Sequence, residues 1–480
     1  MKTQYIFPEN GVASSDLTQR LQTLKSCDAR WDLGKVFGFV YHPGNHYAKL
    51  SEEYLNAFQY ESTLNPSTFP SLKNFEKDIV CMASELLHGD QHVAGNVTSG
   101  GSESIFLALK VARDLANDQH SEKAEWEVIL PETAHPAFLK ACHYLGLRAI
   151  IVPVGDNKRA DPAAMRNAIS PRTIMLACAA PCFPYGVVDP IEDVAQIARK
   201  HKLLFHVDAC LGGFMLPFLE ELGYDLPGFD FRIKGITSIS LDAHKYGYSP
   251  KGVSVILYRS RKLRRQQFFI HADWSGGIFA STTFMGTKGG GPVAGCWAVM
   301  NHLGREGYRT IARQVMKTTE SIREGIEIHK NLHVIGSPDM SVLAFTSDNG
   351  NIFNIGDALN SKGWHLDRLQ FPDALHITVT QLNIGKEDDF LQDLNEIMNN
   401  EASLKQEFRA TKSSVKIARI LSGILPGMVI EKVARMAGSG IGSIGKENKI
   451  PQAALYGISA SFKNRKNIST LVRNLLDGMY

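Results

Sequence analysis

The stretch Ser238-Ile239-Ser240-Leu241-Asp242-Ala243-His244-Lys245-Tyr246-Gly247-Tyr248-Ser249-Pro250-Lys251-Gly252 carries a lysine, preceded by His244, between two segments predicted to be strands, 236–241 and 253–258. Upstream of it, extended and helical patterns alternate. A helix is predicted over 103–115, a strand at 128–130, a helix from Pro136 and a strand at 149–154. A second set follows, with strands at 174–179 and 204–207 flanking a helix at 191–201. Strands alternating with helices predict an α/β fold, a mainly parallel sheet covered on both faces. Ligands of such sheets bind beyond the carboxyl ends of the strands, and Lys245 stands at such an end.

Around this unit the organisation is simpler. Residues 1–60 read as an arm and a helical segment, 61–330 as the large domain, and 331–480 as a smaller α+β domain ending in a helix at 468–478. The Pro/Ser/Thr-rich stretch 63–71 reads as a loop, and the glycine-rich stretch 438–449 as a flexible one. Lys and Arg number 52 against 49 Asp and Glu, dispersed without single-sign blocks, which gives no nucleic-acid surface. The seven cysteines are scattered with no CxxC pair, as in reduced thiols of a cytoplasmic protein. The first thirty residues hold Asp16, Arg20, Lys25 and Asp28 and no apolar core, so neither a leader peptide nor a membrane span is expected.

Three motifs carry chemistry. Thr98-Ser99-Gly100-Gly101-Ser102-Glu103-Ser104 precedes the first predicted helix, where glycines let the backbone close on an anion at the helix N-terminus. Taken alone it also reads as an ordinary capped helix start, since Ser102 is a good N-cap. Phe205-His206-Val207-Asp208-Ala209-Cys210-Leu211-Gly212-Gly213 ends an apolar strand on a carboxylate, which needs a cationic partner there; a protonated pyridine nitrogen would serve. Lys245 becomes nucleophilic if burial and the positive charge of His244 and Lys251 lower its pKa. Cradle, acid and lysine in this order point to pyridoxal 5'-phosphate, with Lys245 joined to it as a Schiff base and Asp208 keeping its ring cationic.

These residues resemble the pyridoxal-phosphate-dependent group II decarboxylase superfamily and, within it, the sphingosine-1-phosphate lyases. The resemblance rests on the motifs at 98–104, 206–214 and 244–252 and on Asp273-Trp274-Ser275-Gly276-Gly277, continuing to Gly295-Cys296-Trp297. It implies a fold-type I architecture and a homodimer with active sites at the subunit interface. It places Gly101, Ser102 and His244 on the cofactor phosphate, stacks His135 on the ring, pairs Asp208 with the ring nitrogen and makes Lys245 the internal aldimine. It also implies roles near the substrate for Lys251 and Tyr41, and brings the segment 281–291 into the partner subunit's site.

The chain departs from that pattern at the substrate-phosphate end. Ser62 and Asn65 occupy positions where the lyases carry Asn and His, Lys288 replaces an arginine, and Tyr185 replaces a histidine. Exchanging arginine for lysine trades a bidentate fork for a point charge. The expected reaction is cleavage of the Cα–Cβ bond of a phosphorylated amino alcohol such as sphingosine 1-phosphate, with Ser62, Asn65 and Lys251 on the substrate. An amino-acid decarboxylase is the alternative, and a noncatalytic dimeric binding module the alternative of another class. Gly440-Ile441-Gly442-Ser443-Ile444-Gly445 matches GxGxxG without a preceding strand, and the histidine pairs 42/46 and 88/92 are interrupted by proline or glycine. No catalytic metal is expected.

Overall fold

The computed structural model describes residues 7–120, 124–348, 352–399 and Arg473. The glycine-rich stretch at 438–449 and the helix expected at 468–478 lie outside those residues, Arg473 apart. The chain opens with helices α1 (Ser14–Lys25), α2 (Asn45–Ala57) and α3 (Pro70–Leu86), then β1 (Ala94–Thr98) and α4 (Gly101–Gln119). Next come β2 (Glu127–Pro131), α5 (Ala137–Leu145), β3 (Arg148–Val152), α6 (Pro162–Asn167), β4 (Thr173–Ala179), α7 (Ile191–His201) and β5 (Leu204–Asp208). The unit closes with α8 (Leu216–Glu221), β6 (Ser238–Leu241) and β7 (Ser254–Tyr258).

Seven strands form one sheet in the order β1-β7-β6-β5-β4-β2-β3. Pairing is parallel from β6 through β5, β4 and β2 to β3, whereas β7 runs against both β6 and β1. β2, β6 and β7 are buried along their length and β4 and β5 at all but one residue each, as a sheet covered on both faces requires. α4 buries Ile105, Leu109, Ala112 and Ala116, a stripe at three- and four-residue spacing, against Val128 and Leu130 of β2. α7 carries Glu192 and Asp193 in its first turn and Arg199, Lys200 and His201 in its last, charges that complement the helix dipole.

Beyond β7 lie α9 (Arg261–Arg265), a hairpin of β8 (Phe269–His271) and β9 (Phe279–Ser281), and the long α10 (Gly290–Glu327), which bends at Gly304 (φ +55). The second sheet comprises β10 (Leu332–Val334), β11 (Val342–Ser347), β12 (Asp367–Leu369) and β13 (Ala374–Thr378), all antiparallel in the order β10-β11-β13-β12. Helices α11 (Ile352–Ser361) and α12 (Glu387–Asn399) accompany it. The N-terminal arm is fastened here. Phe37 stacks on Trp364 and meets Phe390 edge-on, and Asn383 Nδ2 donates to the carbonyls of Gly34 and Val36. No helix among the described residues is long and apolar enough to cross a membrane.

Candidate active site

β5 ends on Asp208 and β6, parallel beside it, on Leu241, so the two following turns open at the same edge of the sheet. The turn from β1 into α4 faces them, and together they enclose a cavity of about 410 Å³ lined by Gly101, Ser102, Thr133, His135, Asp208 and Lys245, with His244 beside the lysine. That volume lies within the usual range for small-molecule sites. The three motifs, 98–104, 205–213 and 238–252, thus meet in one cavity. Tyr41, Ser62, Asn65 and Lys251 are not among its lining residues.

The cradle is shaped by its glycines. A Cβ on Gly101 would lie 2.6 Å from Cys210 Sγ and 2.8 Å from Asp242 Oδ1, whereas one on Gly100 would meet only His244 Cε1 at 3.8 Å. The first N–H groups of α4 have no helical carbonyl to bond, which suits them to an anion. Asp208 is buried; its Oδ1 accepts from the Cys210 N–H at 3.1 Å and the Ser240 hydroxyl at 3.2 Å. Neither bond engages Oδ2. On the same strand His206 is buried between Ser238 and Ser240, and burial pushes its imidazole down to about 4, leaving it neutral.

Lys245 departs from the sequence expectation. Its Nζ lies 3.0 Å from Asp242 Oδ2, whose carboxylate also accepts from the Ser254 hydroxyl at 2.5 Å. Burial alone would lower the lysine pKa, but Asp242, then Cys210 and Asp208, outweigh it and hold the amine above its ordinary value. For Asp242, burial acts upward and the charges of Lys245 and His244 overcome it, so the carboxyl stays below the usual range. Positive neighbours therefore do not decide the charge of Lys245; the acid three residues earlier does. Asp242 is one residue of the cavity that motif reading missed, although its i,i+3 spacing to the lysine was visible.

His244 Nδ1 bonds to the Val253 carbonyl at 2.8 Å, and burial lowers its pKa. His135 Nδ1 accepts from the Ala137 N–H at 3.2 Å, its ring stands edge-on to Phe183 at 6.5 Å, and burial lowers its pKa as well. Lys251 is not on the cavity wall: its Nζ donates to the His244 carbonyl at 3.3 Å and lies 4.9 Å from the Tyr41 ring centroid. The lysine turn is tied to the second sheet, because the Tyr246 hydroxyl bonds to Ser341 Oγ at 2.6 Å and to the Val379 carbonyl at 2.9 Å.

Ser62 and Asn65 lie on a different surface. Ser62 pairs with Gly289, and the Thr63 N–H donates to the Lys288 carbonyl at 3.0 Å. Asn65 Oδ1 accepts from the Ser67 and Thr68 amides of its own turn. Lys288 is buried against Glu76 and the Val97 carbonyl. Tyr185 is buried too, its hydroxyl 3.3 Å from the Phe371 carbonyl.

The cavity fits the group that the sequence implied. An anion seat, a carboxylate oxygen left over for a protonated ring nitrogen, and an amine converge there, and the buried Thr133 hydroxyl, with no hydrogen-bond partner among the described residues, lines the same space.

Comparison with known proteins agrees with this chemistry. Residues 17–347 match the family described as the pyridoxal-dependent decarboxylase conserved domain. The chain is 39% identical to the sphingosine-1-phosphate lyase of Dictyostelium discoideum over 98% of its own length and 82% of that protein. It is 42% identical to sphingosine-1-phosphate lyase 1 of Rattus norvegicus over 81% of its length and 69% of that protein. Among solved structures, the sphingosine-1-phosphate lyase of Burkholderia pseudomallei superposes with a TM-score of 0.79 at 36% identity, covering 85% of this chain and 96% of that one.

Proposed function

Because the chain belongs to the sphingosine-1-phosphate lyase family of the pyridoxal-dependent decarboxylases, we propose that it is a pyridoxal-phosphate-dependent aldehyde-lyase. Its substrate is a phosphorylated amino alcohol such as sphingosine 1-phosphate, and its products are a long-chain aldehyde and phosphoethanolamine. The observation that carries this reading is the convergence of Gly101, Ser102, Asp208 and Lys245 on one cavity in a chain of this family. When bound, pyridoxal phosphate supplies a sink for the electrons left on the substrate α-carbon.

The chain's own residues do the rest. The amides of Gly101 and Ser102, with His244, would hold the cofactor's phosphate; His135 would lie against its ring, the free Oδ2 of Asp208 would keep the ring nitrogen protonated, and the neutral amine of Lys245 would bind its aldehyde carbon as an imine with loss of water. Tyr41 and Lys251, paired beside His244, orient the substrate. Which bond breaks follows from orientation, because the scissile bond must stand perpendicular to the ring.

We propose further that the enzyme is a homodimer in which the strip at 62–65 and the segment at 281–291, hydrogen-bonded to each other, serve the partner's site. In support, Phe269, Ile270, Trp274 and Ile278 before that segment and Phe284 within it are exposed apolar side chains, suited to burial against another copy. The seven cysteines, none in a disulfide, support the cytoplasm as its compartment. The test is to incubate the cofactor-loaded protein with sphingosine 1-phosphate and with a panel of amino acids. Release of long-chain aldehyde supports the lyase; carbon dioxide from an amino acid without aldehyde rejects it.

A further inference from the structure

Glu103 is a buried carboxylate that the reaction as described does not use. It occupies the third residue of α4, directly after the cradle. Its two oxygens serve different partners. Oε2 accepts from the Ser99 N–H at 2.6 Å and the Ser99 hydroxyl at 2.7 Å, within the cradle. Oε1 accepts from the Phe284 N–H at 2.7 Å and the Met285 N–H at 3.3 Å, in the connection between β9 and α10. Glu103 has no ion pair among the described residues, and N–H dipoles and the start of α4 balance its charge. The Phe284 ring also rests edge-on against Phe106 of α4 at 5.2 Å.

We propose that Glu103 is a positioning residue that couples the cofactor cradle to the segment around 284–285, so that filling the cradle orders the segment and loosening the segment weakens the cradle. This rests on the reading of Gly101 and Ser102 as the seat of the cofactor phosphate. A simple spectator carboxylate beside that seat would have the opposite effect. Its negative charge would repel the phosphate, and removing it would tighten cofactor binding. A strut must instead keep Ser99 and the segment in register, which a carboxylate does because all its lone pairs accept. Glutamine keeps the length, but its amide nitrogen cannot accept from one of the two pairs of donors. Aspartate keeps the charge but is one methylene too short to reach both.

The experiment measures pyridoxal phosphate affinity by titrating the apoprotein, and amide hydrogen exchange of peptides covering 282–287 with and without cofactor. Wild-type protein is expected to exchange more slowly at 284–285 once loaded. Glu103→Gln is expected to bind the cofactor about tenfold more weakly and to exchange rapidly at 284–285 whether loaded or not. Glu103→Asp is expected to do the same and carries the test if the glutamine variant does not fold. Unchanged or tighter binding in the variants overturns the proposal, as does weaker binding with 284–285 still protected. Wild-type protein that takes up no cofactor rejects the reading beneath it, a result separable from both.

Discussion

Replacing Asp242 by asparagine tests what sets the charge of the reactive lysine. The substitution keeps volume and leaves an amide oxygen for the Ser254 hydroxyl, but deletes the charge 3.0 Å from Lys245 Nζ. At that separation, with an effective dielectric constant of about 20, the lost attraction is about 5 kcal/mol. At about 1.4 kcal/mol per pKa unit, even half of it moves the lysine by about two units. The direction is downward, because burial, the largest influence on this amine, then acts without its main counterweight. Only the neutral amine attacks an aldehyde. The rate at which apoprotein reacts with pyridoxal phosphate, followed by visible absorbance against pH, should therefore shift its midpoint about two units toward acid in Asp242→Asn. A midpoint within about half a unit of wild type would refute the assignment. The same pair supports the fold. Asp242 is depressed, so its contribution is lost as pH falls below the carboxylate range. Lys245 is raised, so its contribution is lost only as pH rises above the ordinary lysine value. The variant's stability deficit, about 3 kcal/mol for a broken buried pair, should be flat through neutral pH and shrink at both extremes.

Other perturbations probe separate parts of the account. Lys245→Ala should abolish visible cofactor absorbance and aldehyde formation, and, because it leaves Asp242 buried without its cation, should also lower the melting temperature of the apoprotein. Gly101→Ala introduces a Cβ 2.6 Å from Cys210 Sγ; it should cost about 1–3 kcal/mol in urea unfolding and weaken cofactor binding in the same titration. Gly186→Ala should be worse, since φ is +67° and the new Cβ would lie 1.8 Å from the Val342 carbonyl oxygen; loss of soluble protein is the expected readout. His376 is buried, Nε2 bonded to the Phe183 carbonyl, and burial holds its imidazole down at about 4. A depressed histidine stabilises above its unfolded value and loses that contribution as pH falls toward 4, about 3 kcal/mol here, so urea midpoints of His376→Gln should fall less than wild type between pH 6.5 and 4.

The alternation of strand and helix was legible because each element buries a face whose period the sequence displays. The helix at 191–201 was readable to the residue, with acids at its start and bases at its end. β1 was not foreseen. Its sequence, Ala94-Gly95-Asn96-Val97-Thr98, holds two poor strand formers, and it exists because β7 offers an antiparallel edge. The packing of Phe37 against Trp364 was equally invisible, since the partners are more than three hundred residues apart.

 At the site, the cradle, Asp208 and Lys245 were readable because strand ends fix where such residues point. Asp242, Glu103 and Thr133 were not, because their roles depend on which turns and loops the fold brings against them.

Covalent attachment of the cofactor at Lys245 is the claim on which the account depends. Protein loaded with pyridoxal phosphate, reduced with borohydride, digested and sequenced by mass spectrometry, should carry the pyridoxyl mass on Lys245 alone and lose it in Lys245→Ala. A label on another lysine, Lys251 included, or no label after loading, would contradict it.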